Sequence, residues 1–205
     1  MKIDRIEASA HKKGRVLVFL ENGACLKVTE QELLDFRVHA GDELDEEMLQ
    51  RLREAAGVSN VRAKAAEMVA KRPLSRRALV RKLTEKGASP DEAGRAADWL
   101  SSIGALDDTE YAVTLARQCA AKGYGPAKIR SKLYEKGVPK ELWDAAMADL
   151  PDCAAQIDAY LSRKLSGNAP APDEKRHLTA ALLRHGFAWD DIRAAWTRYG
   201  EDLEG

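Results

Sequence analysis

The sequence predicts a mainly α-helical fold: an elongated tandem array of three three-helix repeats, preceded by a small α/β N-terminal cap that contains a β-hairpin. Three observations carry this. Alternating apolar positions typical of strands occur only before residue 30, whereas beyond it apolar residues recur at helical spacing between capping residues and glycines. Gly87, Gly137 and Gly186 stand 50 and then 49 residues apart with matching neighbours. The 205 residues are 45% apolar and rich in Leu, Ala, Arg, Lys and Glu, a composition that favours helix. The segments expected are a cap over 1–57 and repeats over 61–106, 107–151 and 152–200.

The glycine register is the strongest of these signals. Leu83, Leu133 and Leu182 lie four residues before the glycines, and Leu79, Ile129 and Leu178 lie eight before. Lys86, Lys136 and His185 precede them directly, while Ala96, Ala146 and Ala195 and then Leu100, Leu150 and Tyr199 follow at nine and thirteen residues. A glycine, two apolar rows and a helix start that repeat together indicate duplicated helical units, each burying one face against its neighbours.

In the cap, Lys2 to Ala8 reads as a weak strand and Val16 to Glu21 as a stronger one, joined to Ala24–Val28 by Asn22-Gly23, the dipeptide of a two-residue hairpin turn in which both residues take positive φ. Thr29 followed by Glu32 is a capping box for a short helix ending near Phe36. Gly41 and Asp42 break the chain. A second helix over Glu46–Ala56 should bury Met48, Leu49 and Leu52, with Gly57 as its stop.

Repeat one should hold a helix over about 62–72 with Ala66, Val69 and Ala70 inward, then a helix capped by Ser75 with Leu79 and Leu83 inward. Ser89-Pro90-Asp91-Glu92 combines an N-cap, proline at the first helical position and an acid at the third, so a third helix starts there and turns Ala93, Ala96, Ala97 and Leu100 inward. In repeat two, Asp107 and Glu110 are placed to cap reciprocally a helix whose stripe is Ala112, Leu115, Ala116 and Cys119. Gly123 ends it and Gly125-Pro126 starts the next, with Ile129 and Leu133 inward and Lys128, Lys132 and Lys136 in a row on another side. A third helix starts at Pro139 and packs Leu142, Trp143, Ala146 and Leu150. Repeat three has helices near 153–165, 174–185 and 189–199, with the loop 166–172 (SGNAPAP) as the expected mobile interior segment and Gly200–Gly205 as a fraying tail.

Several chemistries find no candidate. Cys25, Cys119 and Cys153 form no CxxC pair and His11, His39, His177 and His185 no ligand spacing, so no metal or other cofactor is assigned and the cysteines read as small hydrophobes. There is no Walker loop, GxGxxG or GxSxG, and the chain is not expected to be an enzyme. No stretch approaches the roughly 20 apolar residues of a membrane span, and the charged start MKIDRIEASAHKKGR is unlike a signal peptide. A cytoplasmic monomer with no membrane partner is expected.

The net charge is zero, but the charges are unevenly laid out. Residues 1–57 carry −3, while 62–86 carry +7, 117–136 carry +5 and 163–184 carry +3. If equivalent helices align, these middles form a basic stripe suited to a polyanion; the alternative is ordinary solvated helix faces. Candidate contact residues are Arg76, Arg77, Arg81, Lys82, Lys122, Lys128, Arg130, Lys132 and Lys136. Tyr124, between two glycines in a sharp turn, is either a plug between helices or a contact residue. Trp99, Trp143 and Trp196 fit core positions of third helices, and Trp189 reads as exposed.

From Leu74 to Val138 the sequence resembles the RecX family of recombinase regulators. The resemblance rests on Ser75-Arg76, Lys86-Gly87, Gly104-Ala105-Leu106-Asp107-Asp108 and Lys122-Gly123-Tyr124-Gly125-Pro126, and Arg184-His185-Gly186-Phe187 extends it to about residue 199. It implies a non-enzymatic protein that binds the RecA recombinase filament and its DNA, lodges along the filament groove, and limits filament growth, recombination and ATP turnover. Phosphate contacts with single- or double-stranded DNA belong to the same expectation. Two other readings of the helical repeats are a tandem helix-turn-helix DNA binder and an adaptor that only holds proteins together.

Overall fold

The computed structural model describes residues 1–10, 12–165 and 170–200. The expected mobile segment falls largely on residues 166–169 and the expected fraying tail on 201–205, both outside the described residues. The fold is mostly helical, with one small sheet at the N-terminus and no strand beyond Thr29 among the described residues. The chain forms two compact units: residues 1–73 with 79–106, and residues 107–205 with Leu74–Ala78.

In the first unit, β1 (Ile3–Ala8), β2 (Arg15–Leu20) and β3 (Cys25–Thr29) make an antiparallel sheet in that order. Period-two alternation buries Val16, Val18 and Leu20 on one face, where they join Ile3, Val28, Val38, Leu44, Leu49, Leu52 and Ala56 in one core. The hairpin differs from the turn expected at Asn22-Gly23. Leu20 donates to Ala24 O at 2.8 Å, Gly23 donates to Leu20 O at 2.9 Å, and of the two turn residues only Gly23 has positive φ, at 82°. The loop therefore has three residues, with glycine in the left-handed position of a bulge, because Asn22 spends its side chain accepting from Ala24 N at 3.0 Å. The capping box forms as read: Glu32 N donates to Thr29 Oγ1 at 3.0 Å and Thr29 N to Glu32 Oε2 at 2.7 Å, starting α1 (Glu30–Phe36).

The stop at Gly57 is overturned. α2 runs unbroken from Glu46 to Lys71, out of the cap and through the expected gap before repeat one. One interior glycine costs a helix only about 1 kcal/mol relative to alanine, and no proline follows until Pro73. Gly57 also lies beside α4 (Pro90–Ser102), where a β-carbon would come 3.7 Å from Glu92 Oε1. Continuity from the cap sets the helix phase, so Ala65 is buried, Ala66 and Val69 are half-buried and Ala70 is exposed, instead of the inward row Ala66, Val69 and Ala70. Opposite it, α4 presents Ala93, Ala96, Ala97 and Leu100, all buried. Its Ser89–Glu92 capping box is complete.

The second unit holds two helix triplets, each with a core of its own. α5 (Asp108–Ala121), α6 (Pro126–Glu135) and α7 (Trp143–Met147) bury Ala112, Ala116, Cys119, Ile129, Leu133 and Ala146. The third helix is shorter than its apolar spacing suggested, because Pro139 leads into a 3-10 turn, Lys140–Leu142, before α7; Trp143 Nε1 ties the turn down by donating to Val138 O at 3.1 Å. At the start of α5, Asp107 Oδ1 accepts from Thr109 N and Glu110 N, but Glu110 forms no return bond, so the expected reciprocal cap is half made. α8 (Cys153–Leu165), α9 (Pro172–His185) and α10 (Trp189–Arg198) enclose Ile157, Leu161, Leu182, Ile192 and a fully buried Trp196, whose Nε1 donates to Thr179 Oγ1 at 2.9 Å.

Candidate functional site

The second unit is organised around the two ends of α6, and both ends are joints. At its C-terminal end, Gly137 takes φ of 74°, and the carbonyl just before it, of Lys136, accepts from Ser75 Oγ at 2.5 Å. Ser75 also caps α3 (Arg76–Glu85), its Oγ accepting from Ala78 N at 3.2 Å. A β-carbon on Gly137 would stand 3.2 Å from the Arg77 side chain, so the aliphatic stem of Arg77 lies on the glycine while its head stays outside. Arg76 N donates to Asp108 Oδ1 at 2.7 Å.

At the N-terminal end of α6 the contact is backbone on backbone. Gly125 N donates to His185 O at 2.8 Å and Ala127 N to Gly186 O at 3.1 Å, so orphan N–H groups at a helix start meet orphan carbonyls at the end of α9. A β-carbon on Gly125 would lie 2.6 Å from the Gly186 carbonyl, and one on Gly186 would lie 2.4 Å from Lys128 N. His185 Nδ1 donates to Gly123 O at 2.8 Å, which fixes the tautomer, and its ring meets Tyr124 edge-on at 5.8 Å and Tyr160 at 5.8 Å. Tyr124 thus packs between the helix triplets. His185 was invisible as a joint residue in the sequence, where it read only as the basic residue before a glycine; the local trace of the joint was Gly186 itself, in register with Gly87 and Gly137.

The basic candidates surround these joints without entering the cores. In the second unit, Arg76 and Arg77 come to the Lys136-Gly137 end of α6. Lys122, Lys132 and Lys136 lie close enough to Cys119 to oppose the effect of burial, which pushes that thiol up. Lys132 donates to Glu135 Oε2 at 2.7 Å, which raises the lysine and lowers the carboxyl. Arg130 approaches Asp144 at 4.0 Å. Lys128 is half-buried with its backbone against Gly186, while Lys122 and Lys136 are exposed, and neither of these two has a carboxylate within ion-pair distance among the described residues. In the first unit, Arg81 is exposed and 3.6 Å from Glu85, and Lys82 is half-buried. The structure therefore gathers Arg76, Arg77, Lys122, Tyr124, Lys128, Arg130, Lys132 and Lys136 around one helix, and leaves Arg81 and Lys82 in the other unit.

Among the described residues no group of three or more His, Cys, Asp and Glu is placed to hold a metal ion, and no helix is long and apolar enough to cross a membrane. Trp99 packs under Arg62, whose guanidinium lies 5.5 Å from the ring centre, and Trp189 is exposed.

Comparison with known proteins matches residues 107–147 to the family model of the RecX second three-helix domain. Regulatory protein RecX of Xanthomonas axonopodis pv. citri is 37% identical over 143 residues, covering 69% of this chain and 86% of the relative. Regulatory protein RecX of Halorhodospira halophila is 33% identical over 147 residues, covering 70% and 91%. A crystal structure of regulatory protein RecX superposes with a TM-score of 0.71 at 24% identity over 96% of this chain and 98% of that one. The structure of RecX from Lactobacillus salivarius gives 0.62 at 18% identity over 71% and 98%. With capped helix triplets, the Lys-Gly-Tyr-Gly-Pro turn at the joint and relatives at this level of identity, the chain belongs to the RecX family of regulatory proteins.

Proposed function

We propose that this protein binds the RecA recombinase filament on DNA and limits filament growth, recombination and ATP turnover, acting by binding and without catalysis. The supporting observation is the cationic surround of α6: Lys122, Lys132 and Lys136 flank a helix whose apolar row, Ile129 and Leu133, is fully committed to the core. Lys122 and Lys136, with no carboxylate in ion-pair distance among the described residues, are available to a polyanion, and their attraction falls as salt rises, while Lys132 shares its charge with Glu135. In this reading the cap and the first triplet, which share α2, and the triplets over 107–151 and 152–200 are the framework that presents them.

The test is charge reversal at positions that fold independently of their charge. Lys128 is unsuitable because its backbone is packed on Gly186. The combined Lys122→Glu, Lys132→Glu, Lys136→Glu variant should keep a thermal midpoint close to wild type, since exposed pairs contribute little, and should lose most of its inhibition of RecA ATPase on single-stranded DNA. A folded variant that inhibits as well as wild type would make these lysines a solvated face. Sequence-selective duplex binding with no effect on RecA would instead favour a tandem helix-turn-helix DNA binder.

A further inference from the structure

Between the sheet, α2 and the turn that joins α3 to α4, the first unit opens a cleft of about 550 Å³ whose lining includes Lys12, Arg15, Lys27, Lys64 and Lys86. Residues 1–57 carry −3 as a whole, so Lys12, Arg15 and Lys27 gather here against the charge of the segment that supplies them. Among the described residues Glu92 is the one carboxylate in the lining, and it is spent on a helix cap: its Oε2 accepts from Ser89 N and from Ser89 Oγ, each at 2.8 Å.

Arg15 is the most constrained of these cations. It is half-buried, with Nη1 donating to Ser59 Oγ at 2.8 Å and Nη2 to Ser59 O at 2.6 Å, and both acceptors are neutral. Arg5, on the neighbouring strand, is by contrast answered by Asp4 and Glu7. A guanidinium held in one direction with its full charge is costly to half-bury and is preorganised for an oxyanion. Lys27 and Lys86 are exposed, and Lys64 Nζ reaches the Lys86 carbonyl at 3.3 Å, another neutral acceptor. Arg15, Lys27, Lys64 and Lys86 thus have no carboxylate within ion-pair distance among the described residues; Lys12 has Glu67 at 3.3 Å.

The shape of the cleft narrows the class of anion. Leu17, Val61 and Ala88 add apolar lining, and at Gly87, with φ of 92°, there is open space where a β-carbon would stand. A concave, partly apolar site with a few convergent charges is the usual form of a small-molecule pocket. Grooves that hold single-stranded nucleic acid stack bases on aromatic side chains, and the described lining contains none. One phosphate monoester carries about −2, too little to answer four cations; two adjacent phosphates meet them.

We propose that this cleft binds a compact organic phosphate with two adjacent phosphate groups, of the class of the nucleoside diphosphates. Arg15 grips one phosphate, Lys27 and Lys86 neutralise the other, and Lys64 exchanges the Lys86 carbonyl for phosphate. The apolar lining takes the organic part.

The experiment is calorimetric titration of the full chain at low salt with ADP and, separately, with pyrophosphate, without RecA or DNA, so its outcome is separate from the function proposed above. Each probe should find one site, and its binding should weaken as salt rises. Lys27→Glu with Lys86→Glu should weaken ADP binding at least about tenfold. Lys27→Arg with Lys86→Arg should keep most of it, and Lys122→Glu with Lys136→Glu in the second unit should leave it unchanged. Lys27→Gln with Lys86→Gln repeats the test without charge reversal should the reversal unfold the chain. No binding of either probe at millimolar concentration, or an equal loss on reversal in the second unit, would overturn the proposal. So would a short single-stranded oligonucleotide that binds more tightly than ADP and is lost with the same two lysines, since the cleft would then be part of a nucleic-acid surface.

Discussion

The two joints on α6 occupy equivalent register positions yet are built from different chemistry. At the Gly137 end a serine hydroxyl and an arginine stem approach the glycine. At the Gly186 end two backbones meet with no room for a side chain on either. A joint made by side chains can yield by changing rotamers; one made by main chain cannot, because both partners are fixed by the helices they terminate. Duplication therefore conserves a position in space while leaving the demand on each residue free to differ.

The largest test of this contrast is alanine at the register glycines. Gly186→Ala should cost roughly 4 kcal/mol, adding overpacking against Lys128 to the strain of a left-handed alanine. Gly137→Ala should cost less, because Arg77 can move, and Gly87→Ala should cost only the backbone strain, about 1–2 kcal/mol. Denaturant midpoints report all three, and equal losses would erase the distinction between the joints. Next in size, Leu133→Ala should cost about 3 kcal/mol within the usual range of 2–5, because Leu133 is fully buried in the helix that both joints share. Ser131→Ala, exposed on the same helix, should change the midpoint little; similar losses at the two would show that α6 is phased differently. A smaller effect than at Leu133 belongs to Ser75→Ala, expected at about 1–2 kcal/mol for loss of a cap and an orphaned Lys136 carbonyl. Amide exchange should then quicken at Ala78 while Ala127, at the other joint, keeps its protection. Faster exchange at both would mean the joints open as one.

Helix starts were legible because their chemistry is local. Thr29 with Glu32, and Ser89-Pro90 with Glu92, satisfy N–H groups within four residues of themselves, and the spacing alone dictates that. The apolar rows of α5, α6 and α9 were legible for the same reason: an amphipathic helix has one face it must bury. Long-range partners decided the rest. Whether Gly57 ends a helix depended on α4 lying beside it, and α2 runs through. The phase of the Ala65 region followed from that continuity and from nothing in its own spacing. Basic residues off the apolar stripe could be named from sequence, but which of them are spent on Glu85, Glu135 or Asp144 was fixed by packing. Ser75 meets a carbonyl 61 residues away and His185 one 62 residues away. Periodicity states which face a helix hides; it carries no record of what hides it, because the partner's position is set by the packing of every element between.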